Sequence, residues 1–551
     1  MRALLYSLSV LTTHCLVKTG AFQFVSPPTV KTAENSENYS FSTVMDRLQG
    51  VGAAQATVAT TMTAAAGFLA WHYDGLESSI VIPIVIGVVG THYVLEAYFE
   101  TLKKFDGPFL FDVPGLILEV GTEGMVNVLV RLSEQYRGEV FSLGPIAIFT
   151  GNPDNIRTMY QNTKMPITAL PGLPRNSGLA NDSPKVHAQC LKAFIGGQNK
   201  ALTKEGSGMI LSNIAKDVER IMNEAIHDHN GDVFEFREAI AVPIMKASNR
   251  ELVFGSSQEH KAEVEEIQNL SAEVSSLFGA DGIIKTLFQP WSAVSAVSKC
   301  INTLDAAILS APTQSGCPFG ALRESVLAGE MDQFDAIATA GVFTFAGIDV
   351  TVAAANSVVR ILAHPHNAQL QVECRREVDS VLNGYRKVLT SADQIRDCHL
   401  LKSTIAECFR CYEFVGAGLA TPPRVAVRDF EIDGKTLTKG SLIMSTAMDN
   451  EEVSVATGNK EWVSSPSTFN PKAWLDAERT FDERLFNKFT FFGAGVHKCP
   501  GRQVGFDTTV SMIATTLSYF DDVSLMDDKY VIIPSPDRTL KLVAKVRSQE
   551  P

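Results

Sequence analysis

The sequence predicts a mainly α fold with a small β-sheet region, held in one large domain. Three observations carry this. Residues 331–363 form a long helical run that is apolar on nearly every face, so it belongs in the middle of a large core. Helical apolar spacing recurs on both sides of it, whereas strand-like runs are short and sit beside Gly and Pro turn signals. No internal repeat and no long linker interrupts residues 105–551.

The elements follow in order. Residues 125–136 read as an amphipathic helix. Residues 139–150 read as a short hairpin turning at Gly144-Pro145, and 153–161 restart a helix. Residues 207–227 have helical spacing, and 367–382 are strongly amphipathic. Residues 425–444 read as strands broken at Asp433-Gly434 and Lys439-Gly440, and 501–520 as the last helix.

The chain of 551 residues carries 48 Lys+Arg against 61 Asp+Glu, a formal charge of −13. An acidic balance gives no support for nucleic-acid binding, which needs clustered cations. With 45% hydrophobic and 20% charged residues the composition is that of a folded protein. Nine Cys are too sparse for a disulfide framework, so a working cysteine is expected to be a metal ligand or a nucleophile.

The first residues read as an address. Arg2, an apolar stretch over 3–11, and small residues at Gly20 and Ala21 have the layout of a secretory signal over 1–21. Residues 22–52 form a polar linker or transit segment. The combination resembles the two-part plastid leader of algae with complex plastids. Residues 53–99 hold two stretches poor in charge. The second, between Glu77 and Glu96, is just long enough to cross a bilayer, and Lys103 and Lys104 follow it. One or two membrane segments are expected there, with the soluble domain over 105–551.

One loop carries chemistry. Residues 492–501 read FGAGVHKCPG, placing Gly493, Gly495 and Gly501 around Cys499 at the mouth of the last helix. Glycines let a flat partner approach the backbone. A helix N-terminus is expected to lower the Cys499 pKa towards the thiolate. This is the environment of an axial thiolate on haem iron. The ten-residue pattern matches the haem-binding loop of the cytochrome P450 family, and the resemblance covers 105–551. It implies the cytochrome P450 fold with a single catalytic domain, heme b ligated by Cys499, and Phe492, Gly493, His497 and Gly501 lining the cofactor.

Other landmarks stand in the family's order. Residues 131–160 resemble its first helix and hairpin. Glu407 and Arg410 match its Glu-x-x-Arg pair, three apart on one helix face and placed to brace the proximal core. Arg424, after Thr421-Pro422-Pro423, matches a haem-propionate contact, and His497 is expected to supply another. Residues 346–351, AGIDVT, resemble the oxygen-activation motif, with Ala346 and Gly347 leaving room and Asp349 feeding protons.

Three departures stand out. Val350 occupies the usual Thr position and the hydroxyl sits at Thr351, about 100° further round the helix; either a local widening swings it inward, or a substrate group or a water does its job. Ala473, in Pro471-Lys472-Ala473-Trp474, cannot complete the Glu407–Arg410 network, so a looser proximal side is expected. Neither the aromatic nor the Arg of the family's early-helix motif is found over 182–194, where His187 or Lys185 are the substitutes. Cys408-x-x-Cys411, His227-Asp228-His229 and His364-Pro365-His366 lack the further ligands of a zinc site.

The resemblance implies a membrane-attached haem monooxygenase that inserts one atom of O2 into a C–H bond of an apolar, isoprenoid or lipid-like metabolite. Electrons would arrive from an NADPH-cytochrome P450 reductase at the endoplasmic reticulum or from a ferredoxin in a plastid, guided by Lys488, Lys498 and Arg502. The substrate would lie against Phe345, Ala346, Val350 and 415–421. Val350 also motivates a haem-thiolate isomerase or dehydratase acting on a hydroperoxide. Ala473 motivates a non-catalytic haem-binding protein.

Overall fold

The computed structural model describes residues 140–143, 146–149, 153–164, 178–180, 183–201, 204–229, 233–251, 265–270, 290–311, 318–411, 424–445, 469–493, 498–525 and 540–547. These lie in the second of the chain's two units, Lys104–Pro551. The segments 1–21, 22–52 and 53–99, the helix expected over 125–136, residues 415–421 and His497 fall outside the described residues.

Strands β1 (Phe141–Leu143) and β2 (Ile146–Phe149) form the expected antiparallel pair. Helix α1 (Pro153–Asn162) and β3 (Thr163–Lys164) follow, then α2 (Pro184–Ala201), α3 (Lys204–His229) and β4 (Val233–Glu235). A π turn (Arg237–Ala241) runs into α4 (Val242–Asn249), and α5 (Pro290–Ser310) and α6 (Pro318–Leu327) precede the core helix. That helix comes in three parts: α7 (Gln333–Phe345), a widened π turn (Ala346–Val350) and α8 (Thr351–Leu362). Asp332 caps its start by accepting the Phe334 N–H at 2.7 Å.

Next come α9 (Ala368–Leu382), α10 (Ala392–Asp397) and α11 (His399–Cys411). Helix α9 stops where Asn383 takes the left-handed conformation with φ 50°. Strands β5 (Arg424–Ala426), β6 (Phe430–Ile432), β7 (Lys435–Leu437) and β8 (Leu442–Ser445) fill the expected strand region. The β6–β7 turn puts Asp433 and Gly434 at φ 48° and 68°, as a tight hairpin requires. A 3₁₀ turn (Pro471–Trp474), α12 (Glu483–Lys488), α13 (Arg502–Tyr519), β9 (Phe520–Leu525) and β10 (Lys541–Val546) complete the described elements.

Long-range pairing ties the ends together. The larger sheet runs β1-β2-β8-β5-β3, with β2 and β8 parallel, so the early hairpin is locked to the strands after α11. A second sheet runs β4-β10-β9. Two apolar clusters meet along the core helix. Phe343 packs with α2, α5 and α6 on one side of the widened turn, and Ile348 and Val352 pack with α4, α9, α11 and α13 on the other. The run Gln333–Leu362 is long and apolar enough to cross a bilayer, but most of it is spent inside this core.

Candidate functional site

Cys499 stands between the 3₁₀ turn Thr490–Phe492 and α13, whose N-cap is Gly501. Its N–H donates to the Phe492 carbonyl at 2.7 Å, which closes the loop, and its own carbonyl accepts from Arg502 at 3.4 Å. Its side chain is exposed, yet burial by surrounding protein pushes the thiol pKa above the usual 9.0; the Gly501 N–H and the Arg502 cation pull it down by less. The helix N-terminus therefore does not win, contrary to the sequence expectation. The residue is thus open to solvent on one side and crowded by protein on the other, and that crowding favours the protonated thiol.

The surroundings leave room for a flat group. A Cβ on Gly501 would meet no atom of the described residues within 4 Å. Ala346 is exposed although Phe343, Thr344 and Ile348 around it in the core helix are buried. Gly493 has φ 75°, and a Cβ there would lie 3.2 Å from the Tyr160 hydroxyl, so glycine is required on both counts. Phe492 is half-buried, edge-on to Phe491 and under the Arg502 guanidinium.

Arg424 opens β5 and is 3% exposed. It donates to the Thr163 hydroxyl at 2.7 Å and the Thr163 carbonyl at 3.1 Å, and lies 4.7 Å over the Tyr160 ring. Among the described residues no carboxylate faces it. Burial pulls its pKa below the usual value, with a smaller opposing pull from Tyr160. A buried cation held only by neutral groups awaits an anion, and a propionate of haem suits it. The exposed thiol, the open space at Gly501 and Ala346 and this guanidinium without a described carboxylate together fit a haem.

The Glu407–Arg410 pair is fully built. Arg410 donates from Nε and Nη2 to the two Glu407 oxygens at 2.8 and 2.7 Å, both residues being buried. The Asn470 N–H adds a bond at 2.8 Å and the Trp474 indole N–H another at 2.8 Å. Burial pushes the Glu407 carboxyl up, but these four donors outweigh it and hold the carboxyl below the ordinary range. The looser proximal side expected from Ala473 is thus corrected: Trp474, wholly buried against Phe489, supplies the missing donor from the next residue.

On the other side, the helix widening, one of the options the sequence left open, is present as the π turn Ala346–Val350 that carries Asp349. Thr351 follows it, buried, its hydroxyl 3.9 Å from where a Cβ of Gly505 on α13 would be. Val350 is half-buried. The early-helix substitutes are both on α2: His187 Nδ1 lies 2.9 Å from the Leu179 carbonyl, and Lys185 is exposed. Cys408 is completely buried, and burial raises its pKa well above 9.0, which makes it an inert core residue. His227 pairs with Asp228 at the surface, and among the described residues no group of His, Cys, Asp and Glu could hold a metal. The Trp474 indole, the Asn470 amide, Tyr160 and Thr163 are site residues that sequence reasoning missed. Only the Trp beside Ala473 was a usable signal.

Residues 319–543 match the family model described as Cytochrome P450. This stretch, less than half of the chain, carries the sequence pattern of the cytochrome P450 family. Similar curated proteins include cyclooctat-9-en-7-ol 5-monooxygenase of Streptomyces melanosporofaciens, 25% identical over 37% of this chain and 42% of that protein. Carnosic acid synthase of Rosmarinus officinalis is 28% identical over 32% of each chain. Cytochrome P450 monooxygenase COX1 of Coprinopsis cinerea is 26% identical over 33% of each chain. The matched stretch spans less than half the length of each of these relatives.

Proposed function

We propose that this chain is a cytochrome P450, a haem monooxygenase in which Cys499 holds the iron of heme b and Arg424 neutralises a propionate. The single observation that carries the reading is the pairing of an exposed, protein-crowded thiol at Cys499 with a buried guanidinium at Arg424 that lacks a carboxylate partner among the described residues. Thiolate-ligated haem, when bound, supplies O–O cleavage and oxygen-atom insertion. Gly501 keeps a side chain out of the cofactor's space and Gly493 lets the loop pass close to Tyr160, with Phe492 and His497 completing the cofactor's lining. Glu407, Arg410 and Trp474 fix the frame beneath it. Asp349 brings protons to the widened turn, and Thr351, at the end of that turn, is the nearby hydroxyl.

The exposed Ala346 and half-buried Val350 present small apolar surface, and 415–421 are small and apolar in sequence. They suit the apolar part of an isoprenoid or lipid-like metabolite. The printed names of the relatives, a cyclooctat-9-en-7-ol 5-monooxygenase and a carnosic acid synthase among them, are compatible with this class. Electrons would come from an NADPH-cytochrome P450 reductase or a ferredoxin, at an endoplasmic reticulum or plastid membrane, with 53–99 as the anchor.

The test is the reduced, CO-bound absorption spectrum of the wild type and of Cys499→Ser. A thiolate-type Soret band present in the first and absent in the second is expected; its absence from haem-reconstituted wild type rejects the proposal. Val350 favours a second reading, a haem-thiolate isomerase acting on a hydroperoxide. Stoichiometric consumption of NADPH and O2 with product formation excludes it.

A further inference from the structure

Helix α4 touches the core helix at one residue that breaks the usual rules for a core. Asn249, the last residue of α4, is 3% exposed. Its Nδ2 donates a long bond of 3.4 Å to the Thr344 carbonyl, and its Oδ1 has no hydrogen-bond partner among the described residues. Opposite stands Gly347, inside the widened turn and next to the exposed Ala346. A Cβ on Gly347 would lie 3.1 Å from Nδ2, 3.6 Å from Cγ and 3.7 Å from Oδ1. The amide therefore occupies a notch that only glycine leaves open.

Each half of this contact is unfavourable for stability alone. A buried carboxamide that fills little of its hydrogen-bonding capacity costs free energy, and a leucine of similar size would avoid the cost. Glycine in a helix interior is also destabilising. Buried polar groups left open by protein partners are commonly satisfied by an internal water. The carbonyl at Thr344, the amide oxygen and the loosened ladder of the π turn supply such a water with acceptors and donors at one place. The Thr351 hydroxyl, by contrast, lies beside Gly505 of the last helix.

We propose that Asn249 is a positioning residue for oxygen activation, seating its amide in the Gly347 notch and holding a water against the widened turn as one member of the proton path. The inference rests on the haem-monooxygenase reading. The amide accepts a hydrogen bond and never a proton. The water takes one proton from the Asp349 side and gives one up towards the cavity, so it is regenerated in each transfer. Asn249 acts through this water and touches no reacting atom.

The experiment uses the full chain loaded with haem, NADPH and a cytochrome P450 reductase as donor. It reads the reduced-CO spectrum, hydrogen peroxide released per NADPH oxidised, and the solvent isotope effect on NADPH oxidation. Asn249→Leu is expected to keep the thiolate-type band while the peroxide fraction rises several-fold and the isotope effect changes; Asn249→Ser, which leaves a hydroxyl and space for water, should recover part of the coupling. A wild-type peroxide fraction and isotope effect in Asn249→Leu overturn the inference. Gly347→Ala, whose Cβ displaces the amide, should uncouple as well. Combining it with Asn249→Ala should regain thermal stability but not coupling, and regain of both would reduce Asn249 to a packing role. Loss of the thiolate-type band in the wild type itself would instead sink the monooxygenase reading.

Discussion

The two sides of the core helix bundle treat buried polar groups in opposite ways. On the α11 side, Glu407 accepts four hydrogen bonds of 2.7–2.8 Å from Arg410, Asn470 and Trp474. On the α4 side, Asn249 makes one bond of 3.4 Å, and its oxygen is open among the described residues. A saturated network is stiff, because each member is held by several others. An unsaturated one leaves places for water and protons. The contrast is between a saturated carboxylate on the α11 side and an open carboxamide oxygen at the widened turn.

The sharpest way to break this contrast is Glu407→Gln. It leaves the Arg410 cation buried without its counter-charge, which costs about 3–5 kcal/mol. Urea unfolding should show the loss, together with reduced haem content. The pH dependence has a definite sign. Since the folded Glu407 pKa lies below its ordinary value, the carboxylate adds stability above the unfolded pKa, and that stability is lost as pH falls through the folded pKa. Acid unfolding of the wild type should therefore include this carboxylate's protonation, and the variant should lack that component. An unchanged acid limb would show that the network is not what holds this region.

Arg424 tests the cofactor side of the comparison. Its guanidinium is desolvated and lacks a carboxylate partner among the described residues. Arg424→Met should weaken hemin retention by about 2–3 kcal/mol, in the range for hydrogen bonds to charged groups. Stability of the haem-free protein should change less than that. Hemin transfer to an acceptor protein measures the first quantity and urea unfolding of the apo form the second. Equal losses in both would mean that Arg424 serves the β5–β3 contact alone.

Trp474→Phe removes one of the four donors to Glu407 and keeps a ring against Phe489 and Phe486. The expected cost is about 1–2 kcal/mol, since a charged acceptor loses one bond but keeps three. This residue also marks where sequence reading stops. The spacing of Glu407 and Arg410 alone was enough to place them on one face, and the apolar run over 331–363 was enough to bury the core helix. Ala473 looked like damage because the donor that replaces the family's arginine comes from a different atom of a neighbouring residue, which only tertiary packing reveals. Asn249 carried no signal at all, because a lone Asn at a helix end reads as a cap. The parallel pairing of β2 with β8 was equally hidden, being a contact between distant segments.

The smallest effect is expected at Thr351. The widening, one of the options left open by the displaced hydroxyl, is present, but the hydroxyl it delivers lies beside Gly505, in contact range of α13. If proton delivery is shared between Thr351 and the water held at Asn249, removing the hydroxyl leaves the water in place. Thr351→Ala should then raise the peroxide released per NADPH, but by less than Asn249→Leu does, with a stability cost of about 1 kcal/mol or less from the lost methyl contacts. The reverse order would move the proton path from the α4 side of the widened turn to the α13 side, and the open oxygen of Asn249 would then need another explanation.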